Sequence, residues 1–420
     1  MTEKKKILVI SDHPLAPSGV GTQTKYIIET LLKTGRYKFV CLGGAVAHKD
    51  YKPQRVTPFE EDWIIHPVKG YGSQEMIRSL IFNEKPDLLW FMTDPRFYGF
   101  LWMIENEVRK HVPMVYYHVW DNYPLPTFNN QFYSSTDVIA SISKVTYDIV
   151  NRVSPHVENH YIPHAVDASI FHPFPDDQIA KLRKTHFKEE SGRVTFFWNN
   201  RNARRKMSGS LIYWFNEFAN EVGPDKVRLL MHTDPHDPNG PNLEKILEDL
   251  GATDGRIIFS TKKIAPSALA AMYNMSDCTI NISDAEGFGL ATLESLACQT
   301  PIIVNMTGGL QEQVTDGEQW FGIGLTPASR AIIGSQQVPY IYEDRISKED
   351  FIQALRDIFS MSHEERRLLG MKGRHHVTKN YNFENFQKQW VDLIDSVVEN
   401  HGSWETRKGY KPWDFKEITK

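Results

Sequence analysis

Two glutamates, Glu286 and Glu294, stand in the stretch SDAEGFGLATLESLACQTPIIVNMTGG, which runs from Ser283 to Gly309, with seven residues between them. Carboxylates accept hydrogen bonds from hydroxyl groups. Gly287 and Gly289 let the backbone approach a ligand closely. A helix expected to begin near Leu290 offers unpaired N–H groups and the positive end of its dipole, which suits an anion. Carboxylates for hydroxyls beside amides for phosphate fit a nucleotide sugar.

A second group could neutralise phosphate. The turn NNRNARRKMSG holds Arg201, Arg204, Arg205 and Lys206 directly after an apolar run. Phosphate binds to cations or to amide donors. Alone, such a run also reads as a solvated basic turn. Beside the Glu286–Glu294 segment it reads as a clamp for a diphosphate. Near the N-terminus, SDHPLAPSGVG places Gly19 and Gly21 between a strand and a helix, either as a phosphate-facing loop or as a plain turn. Asp12–His13, Thr93–Asp94 and His118 fall at the ends of other apolar runs, where parallel sheets bind ligands.

Other chemistries find less support. His232 and His236 lie near Asp234 and Asp237, but Pro235 and Pro238 keep the two histidines off a common helix face. They read as a polar turn and not as a metal site. His375 and His376 are adjacent on an expected helix and face different directions. No Asp-x-Asp pair occurs, so cations and a helix end would have to neutralise a leaving diphosphate without a metal. No Gly-x-Ser-x-Gly elbow and no Walker sequence is present. Gly19-Val20-Gly21 lacks the third glycine of a dinucleotide fingerprint.

These residues need a frame. Strands are expected at Ile7–Ile10, Phe39–Leu42, Leu88–Met92, Met114–His118 and Val138–Ser141, with helices at Gln74–Asn83, Phe97–His111 and Lys144–Val153. The alternation implies a parallel α/β sheet. YIPHAVDASIFHP then reads as a short strand and an irregular stretch, and Pro173 and Pro175 with the charged segment up to Gly192 read as a connector. A second series follows, with strands at Val194–Trp198, Val227–Met231, Ile257–Ser260, Cys278–Ile282, Ile302–Val304 and Trp320–Ile323. Its helices are expected at Met207–Val222, Asn242–Leu250, Pro266–Asn274, Leu290–Cys298 and Leu310–Thr315. Ser347–Asn400 is helical. The tail after His401 carries Trp404, Tyr410, Trp413 and Phe415, too many aromatics for a loose end, and is expected to dock on a domain surface.

The 420 residues suggest two or three domains, and the net charge of −4 advertises no polyanionic partner. The odd cysteines Cys41, Cys278 and Cys298 read as reduced core thiols in a cytoplasmic protein. The four-residue apolar run after Lys6 is too short for a signal peptide. Leu88–Ile104 is broken by Asp94, Pro95 and Arg96 and cannot span a membrane cleanly, although peripheral membrane contact stays open.

Together these segments resemble the retaining nucleotide-sugar glycosyltransferases of the GT-B fold, the family that includes sucrose synthases and bacterial mannosyltransferases. The most specific part is Glu286-Gly-Phe-Gly-Leu with Glu294, then Ala297-Cys-Gln-Thr-Pro301 and Gly308-Gly309-Leu. SGVGTQTKYI, PMVYYHVWD, YIPHAVDASIFHP and RNARRK agree with other family segments. His164-Ala165 replaces the usual Asn-Gly, Gln299 replaces a common glycine, and Asn199-Asn200 precede Arg201 where a glycine is common.

The resemblance implies two Rossmann-like, doubly wound α/β domains facing a cleft. Residues 1–175 would form an acceptor-side domain and residues 176–385 a nucleotide-sugar domain, with 386–420 returning to the first. It implies that Glu294 holds the ribose and Glu286 the donor sugar. The amides of Phe288, Gly289 and Leu290, with Thr307, Gly308 and Gly309, would meet the sugar and phosphate. Arg201 and Lys206 would stabilise the leaving diphosphate, Gly19 and Gly21 would close over it, and His118 would contact the sugar. Asp94 and Asp121 would lie on the acceptor side. The implied reaction moves a hexose or similar sugar from a UDP or GDP donor to an acceptor hydroxyl, with retention and with neither metal nor cofactor. Alternatives on the same scaffold are a nucleotide-sugar epimerase, a phosphorylase or a binding protein without catalysis. The acceptor stays open between a small glycan, a lipid-linked glycan, a protein and a modified DNA base; nucleic acid would enter only as acceptor. Oligomeric state is not legible.

Overall fold

Short apolar runs bounded by turn residues become buried parallel strands here, because both faces of each sheet are covered by helices. The structure is a computed structural model that describes residues 3–187 and 192–413. The chain forms two compact units. One runs through His164, takes in residues 334–339 and resumes at Glu384; the other holds Ala165–Ile333 and Tyr340–Phe383.

The first unit contains strands β1 (Lys5–Asp12), β2 (Tyr37–Gly44), β3 (Gln54–Val56), β4 (Glu60–Pro67), β5 (Leu88–Thr93), β6 (Met114–His118), β7 (Val138–Ser141) and β8 (Glu158–Tyr161). They form one eight-stranded sheet in the order β3-β4-β2-β1-β5-β6-β7-β8. Every pairing is parallel except β3 with β4. In register, Thr93 lies opposite His118 and His118 opposite Ser141, so these polar strand ends share one edge of the sheet. The core gathers Leu8, Ile10, Leu42, Phe91, Tyr116 and Ile139 from the strands and Ile77, Ile81 and Leu101 from helices.

The second unit holds β9 (Val194–Asn199), β10 (Val227–His232), β11 (Ile257–Ser260), β12 (Cys278–Asn281), β13 (Ile302–Asn305) and β14 (Gly322–Leu325), all parallel, in the order β11-β10-β9-β12-β13-β14. A separate antiparallel hairpin joins β15 (Ser329–Ile333) to β16 (Ile341–Arg345).

Several expectations change. Phe97–His111 is not one helix: short turns cover Pro95–Tyr98, Gly99–Trp102 and Glu105–Arg109. The chain breaks at Ile104, whose φ of −120° and ψ of 11° leave the helical region. That break turns Ile104 and Val108 inward, each under 3% exposed, while Met103 is 76% exposed. The strand expected at Trp320–Ile323 runs from Gly322 to Leu325, and a Cβ on Gly322 would fall 2.0 Å from the Ile302 carbonyl oxygen, so only glycine fits there. Asp176–Phe187 is a helix within the stretch read as a connector. Strands β3 and β4 and the β15–β16 hairpin were not anticipated.

From Glu384 onward the chain belongs to the first unit, where Trp390 is fully buried against Trp90 and Tyr117 at ring distances of 5.9 and 4.8 Å. The aromatic tail docks as expected. Trp404 stacks on His111 at 4.8 Å and donates from Nε1 to the Pro86 carbonyl at 3.0 Å, and Tyr410 donates to Asn106 at 2.6 Å. Phe415 lies outside the described residues. The three cysteines are free and buried. Among the described residues no helix is long and apolar enough to cross a membrane.

Candidate functional site

Strand β12 ends in Asn281, and the loop that follows is almost wholly buried through Gly289. Gly289 takes φ +92° and caps the helix Leu290–Ala297, a left-handed conformation that only glycine adopts without strain. A Cβ there would also meet Leu310 Cδ2 at 2.5 Å. The loop is tied from below. Gln313 donates to the carbonyls of Phe288 at 2.7 Å and Gly289 at 3.2 Å, and accepts from Thr292 at 2.7 Å. The Gly309 amide donates to the Glu286 carbonyl at 3.2 Å. Thr307, Gly308 and Gly309 are buried beside it.

Glu286 is the charged centre of this loop. Its carboxylate contacts the Lys206 ammonium and lies 3.9 Å from Arg205 Nη1. Asn281 and Ser283 approach it at 3.4 and 3.5 Å. Burial alone would raise its pKa, but Lys206 and Arg205 outweigh that and lower it to about 2. Lys206 reaches it from a short 3-10 turn, Arg204–Lys206, after β9. The Arg205 carbonyl accepts from the Asp284 amide at 2.8 Å, so basic turn and acidic loop are bonded through their backbones as well.

Glu294 sits on the first turns of the helix. It accepts from the Tyr273 hydroxyl at 2.8 Å, and that hydroxyl in turn receives Asn199 Nδ2 at 2.9 Å. Burial raises the Glu294 pKa to about 7, with the Tyr273 bond opposing the shift.

Arg201 lies elsewhere. Its guanidinium makes two bonds to Asp237, at 2.6 and 3.2 Å, and the side chain is 64% exposed. The cation that accompanies Lys206 at Glu286 is Arg205. The Asp237 expected in a polar turn is thus occupied by Arg201. His236 pairs with Glu244 at 3.0 Å and His232 with Ser260 at 3.0 Å. His376 is buried and stacked on Phe321 while His375 is exposed.

The β15–β16 hairpin supports the same loop. The Asp344 amide donates to the Asp284 carbonyl at 2.8 Å, and Asn305 Nδ2 bridges the carbonyls of Ser283 at 2.9 Å and Asp344 at 2.6 Å. Glu343 is 1% exposed and receives Arg204 and, at 2.8 Å, Arg345. Burial and then the Glu343 charge raise the Asp284 pKa to about 7.

In the first unit, the Gly19–Lys33 helix is capped by Ser18, which accepts from the Gly21 amide at 3.0 Å and donates to Asp12 at 2.8 Å. Tyr71 also donates to Asp12 at 2.8 Å. A Cβ on Gly21 would meet the carbonyls of His13 and Ala16 at 2.8 and 2.9 Å, so the loop's own packing already requires glycine; Gly19 is exposed. His118 ends β6 with no exposure, and its Nε2 lies 2.8 Å from the Tyr133 hydroxyl. Burial lowers its pKa to about 3. Asp94 caps the Pro95–Tyr98 turn, accepting from the Arg96 amide at 3.0 Å. Burial raises its pKa; Arg96 opposes this and the nearby Asp121 adds to it. Thr93, just before it, holds φ +119°, a strained value for a β-branched residue at a strand end.

Sequence reasoning missed Tyr273, Gln313, Tyr133 and the hairpin carboxylates as parts of these arrangements, and it paired Lys206 with Arg201 where the structure has Arg205. Asn305 could have been found, since it is a polar residue closing an otherwise apolar strand. Among the described residues, no group of three or more metal-binding side chains is gathered.

Residues 239–376 match the family described as glycosyl transferases group 1. A GDP-mannose-dependent alpha-(1-6)-phosphatidylinositol monomannoside mannosyltransferase of Mycolicibacterium smegmatis is 27% identical over 193 residues, 44% of this chain and 48% of that protein. The chain spans at most about half the length of the curated relatives it first matches. Sucrose-phosphate synthase from Thermosynechococcus elongatus superposes with a TM-score of 0.75 at 17% identity, covering 94% of this chain and 100% of that one. An Anabaena protein solved in complex with UDP and glucose superposes with a TM-score of 0.67 at 14% identity, covering 93% and 100%. The fold of the chain is therefore GT-B, and residues 239–376 of its second unit are similar to the glycosyl transferases group 1.

Proposed function

We propose that this protein transfers a hexose or similar sugar from a nucleotide-diphosphate donor to an acceptor hydroxyl. The observation that carries the reading is the buried Lys206–Glu286 pair beside the glycine-capped start of the Leu290–Ala297 helix. A fixed carboxylate, a fixed ammonium and a helix N-terminus within one loop cluster supply partners for sugar hydroxyls and for phosphate oxygens together.

In this reading Glu294 binds the ribose and Glu286 the donor sugar. The amides from Phe288 to Leu290 and the Thr307–Gly309 turn receive sugar and phosphate. Lys206 balances charge on the leaving diphosphate, and Arg201 joins it after releasing Asp237. Donors aimed at the charge that develops on the leaving group are each worth about 2–4 kcal/mol in the transition state. With these cations in place the reaction needs no metal, and we propose retention of anomeric configuration. For His118, Gly19, Gly21, Asp94 and Asp121 we propose roles toward sugar and acceptor.

The donor is proposed to carry UDP or GDP, in keeping with the mannosyltransferase and the UDP complex among the similar proteins. A panel of UDP- and GDP-sugars, screened by thermal shift and then by release of nucleoside diphosphate, identifies it. Glu286→Ala is expected to abolish turnover with the best donor. Unchanged turnover in that variant overturns the proposal.

A further inference from the structure

We propose that Asn129 and Tyr133 are positioning residues that fix the tautomer of His118, placing its one ring proton on Nδ1 and holding that N–H for a substrate oxygen. The last clause rests on the transferase reading; the tautomer itself does not.

The direction of the relay follows from donor and acceptor inventories. Asn129 Nδ2 lies 3.3 Å from the Tyr133 hydroxyl oxygen. An amide NH2 can only donate, so the phenol oxygen accepts there. The phenol has one proton, and its other partner is His118 Nε2 at 2.8 Å. A phenol oxygen can accept twice, but among the described residues Nε2 is the one acceptor within reach of the phenol proton, so that nitrogen accepts. Burial pushes the His118 pKa down to about 3, so the ring is neutral near pH 7 and carries a single N–H. With Nε2 accepting, the proton stands on Nδ1. Burial also raises the Tyr133 pKa, which keeps the phenol protonated.

The three residues are buried, with His118 and Tyr133 at 0% and Asn129 at 1% exposure. The imidazole is wedged by Tyr116 at 4.8 Å, Tyr133 at 4.9 Å and Trp120 at 6.3 Å between ring centres, which resists a ring flip. Nδ1 has no hydrogen-bond partner among the described residues. Leaving a buried donor unmet is costly, and the neighbourhood offers the other nitrogen a partner instead. A donor paid for in this way is suited to a ligand oxygen.

The full-length protein labelled with 15N-histidine tests this by long-range proton–nitrogen correlation, with the His118 signals identified by their loss in His118→Gln. At pH 7 the expected pattern is a protonated Nδ1 and an unprotonated Nε2. Tyr133→Phe removes the O–H that Nε2 accepts, and the Nε2–H tautomer is then expected to appear. A wild-type His118 protonated on Nε2 overturns the proposal, even if Tyr133→Phe does not fold. An unchanged pattern in folded Tyr133→Phe also overturns it. Both readouts stand apart from sugar transfer, so failure of the relay and failure of the transferase reading remain distinguishable.

Discussion

The Lys206 ammonium and the Glu286 carboxylate meet inside the second unit, with only 10% and 11% of their side chains exposed. Neither charge would be tolerated there alone. Removing one partner of a buried pair leaves an uncompensated charge and costs about 3–5 kcal/mol. Lys206→Met is expected to destabilise the protein by that order at pH 7 in urea unfolding, and Lys206→Met with Glu286→Gln is expected to recover most of the loss. The pH dependence should reverse. In the wild type, Glu286 is held at about 2, below its unfolded value. Its contribution is present above the unfolded value near 4.3 and is lost as pH falls toward 2. In Lys206→Met, acid should relieve the buried carboxylate, so stability should rise on lowering the pH from neutral. Equal stability of the single and double variants would refute the pairing.

Glu294 gives the opposite slope. Its folded pKa is raised to about 7 by burial. The folded state then holds a proton that the unfolded chain has released, so stability is full below about pH 4.3 and is lost as pH rises toward 7. Asp284, also raised to about 7, acts in the same direction. Glu294→Gln should flatten this decline, and Asp284→Asn should flatten what remains. If Glu294 binds ribose hydroxyls as a carboxylate, nucleotide binding near pH 6 should release a proton. Calorimetry in buffers of different ionisation enthalpy measures that release, and its absence in wild type would remove Glu294 from the ribose. Tyr273→Phe deletes the bond that opposes the shift, and should move the release to higher pH.

These two carboxylates show what the sequence carried and what it did not. Their spacing, the glycines and the helix beginning at Leu290 were all legible, as were β6 at Met114–His118, β7 at Val138–Ser141 and β11 at Ile257–Ser260. Uniform apolar runs announce buried parallel strands. By contrast, β4 buries only alternate residues, Trp63, Ile65 and Pro67, and has no such run. Partners were hidden for another reason. Tyr273 reaches Glu294 from a different helix, and Asp237 takes Arg201 across 36 positions. Such pairings depend on how elements stack, and no local pattern records them. The same stacking gave Asp237 and His236 polar partners, so a run resembling a metal site became two separate pairs.

The hairpin makes a further claim that the sequence did not suggest. Glu343 binds Arg204 in the turn that carries Lys206, while Asp344 and Asn305 hold the carbonyls of the Ser283–Asp284 loop. Glu343→Gln removes a buried charge that raises Asp284 and also frees Arg204. The expected result is a lower Asp284 pKa, and a shallower loss of stability between pH 5 and 7. The net change at pH 7.5 should be about 1–2 kcal/mol of destabilisation, because hydrogen bonds to charged groups are lost. Thermal unfolding at the two ends of that pH window measures both effects. An unchanged slope would mean that the hairpin does not set the loop's electrostatics.

Gly309 tests how closely the turn after β13 must approach the Glu286 loop. Its φ is −70°, an ordinary value that any residue adopts, so conformational freedom is not the reason for glycine. Space is the reason. A Cβ would lie 2.6 Å from Phe288 Cα, 2.8 Å from the Gly287 carbonyl oxygen and 2.9 Å from that of Phe288. These are backbone atoms and cannot rotate away, so the loop would have to move and stretch the 3.2 Å bond from the Gly309 amide to the Glu286 carbonyl. Gly309→Ala should destabilise by about 1–3 kcal/mol, the usual range for overpacking. It should also weaken binding of the nucleotide sugar more than Glu294→Gln does at pH 6, because it displaces Glu286 together with the helix start. Gly99→Ala is the control. Its φ of −49° is helical and nothing lies within 4 Å of the added methyl, so stability should be unchanged or higher by about 0.5 kcal/mol. Equal effects of the two substitutions in urea unfolding would show that the close approach at Gly309 is not required.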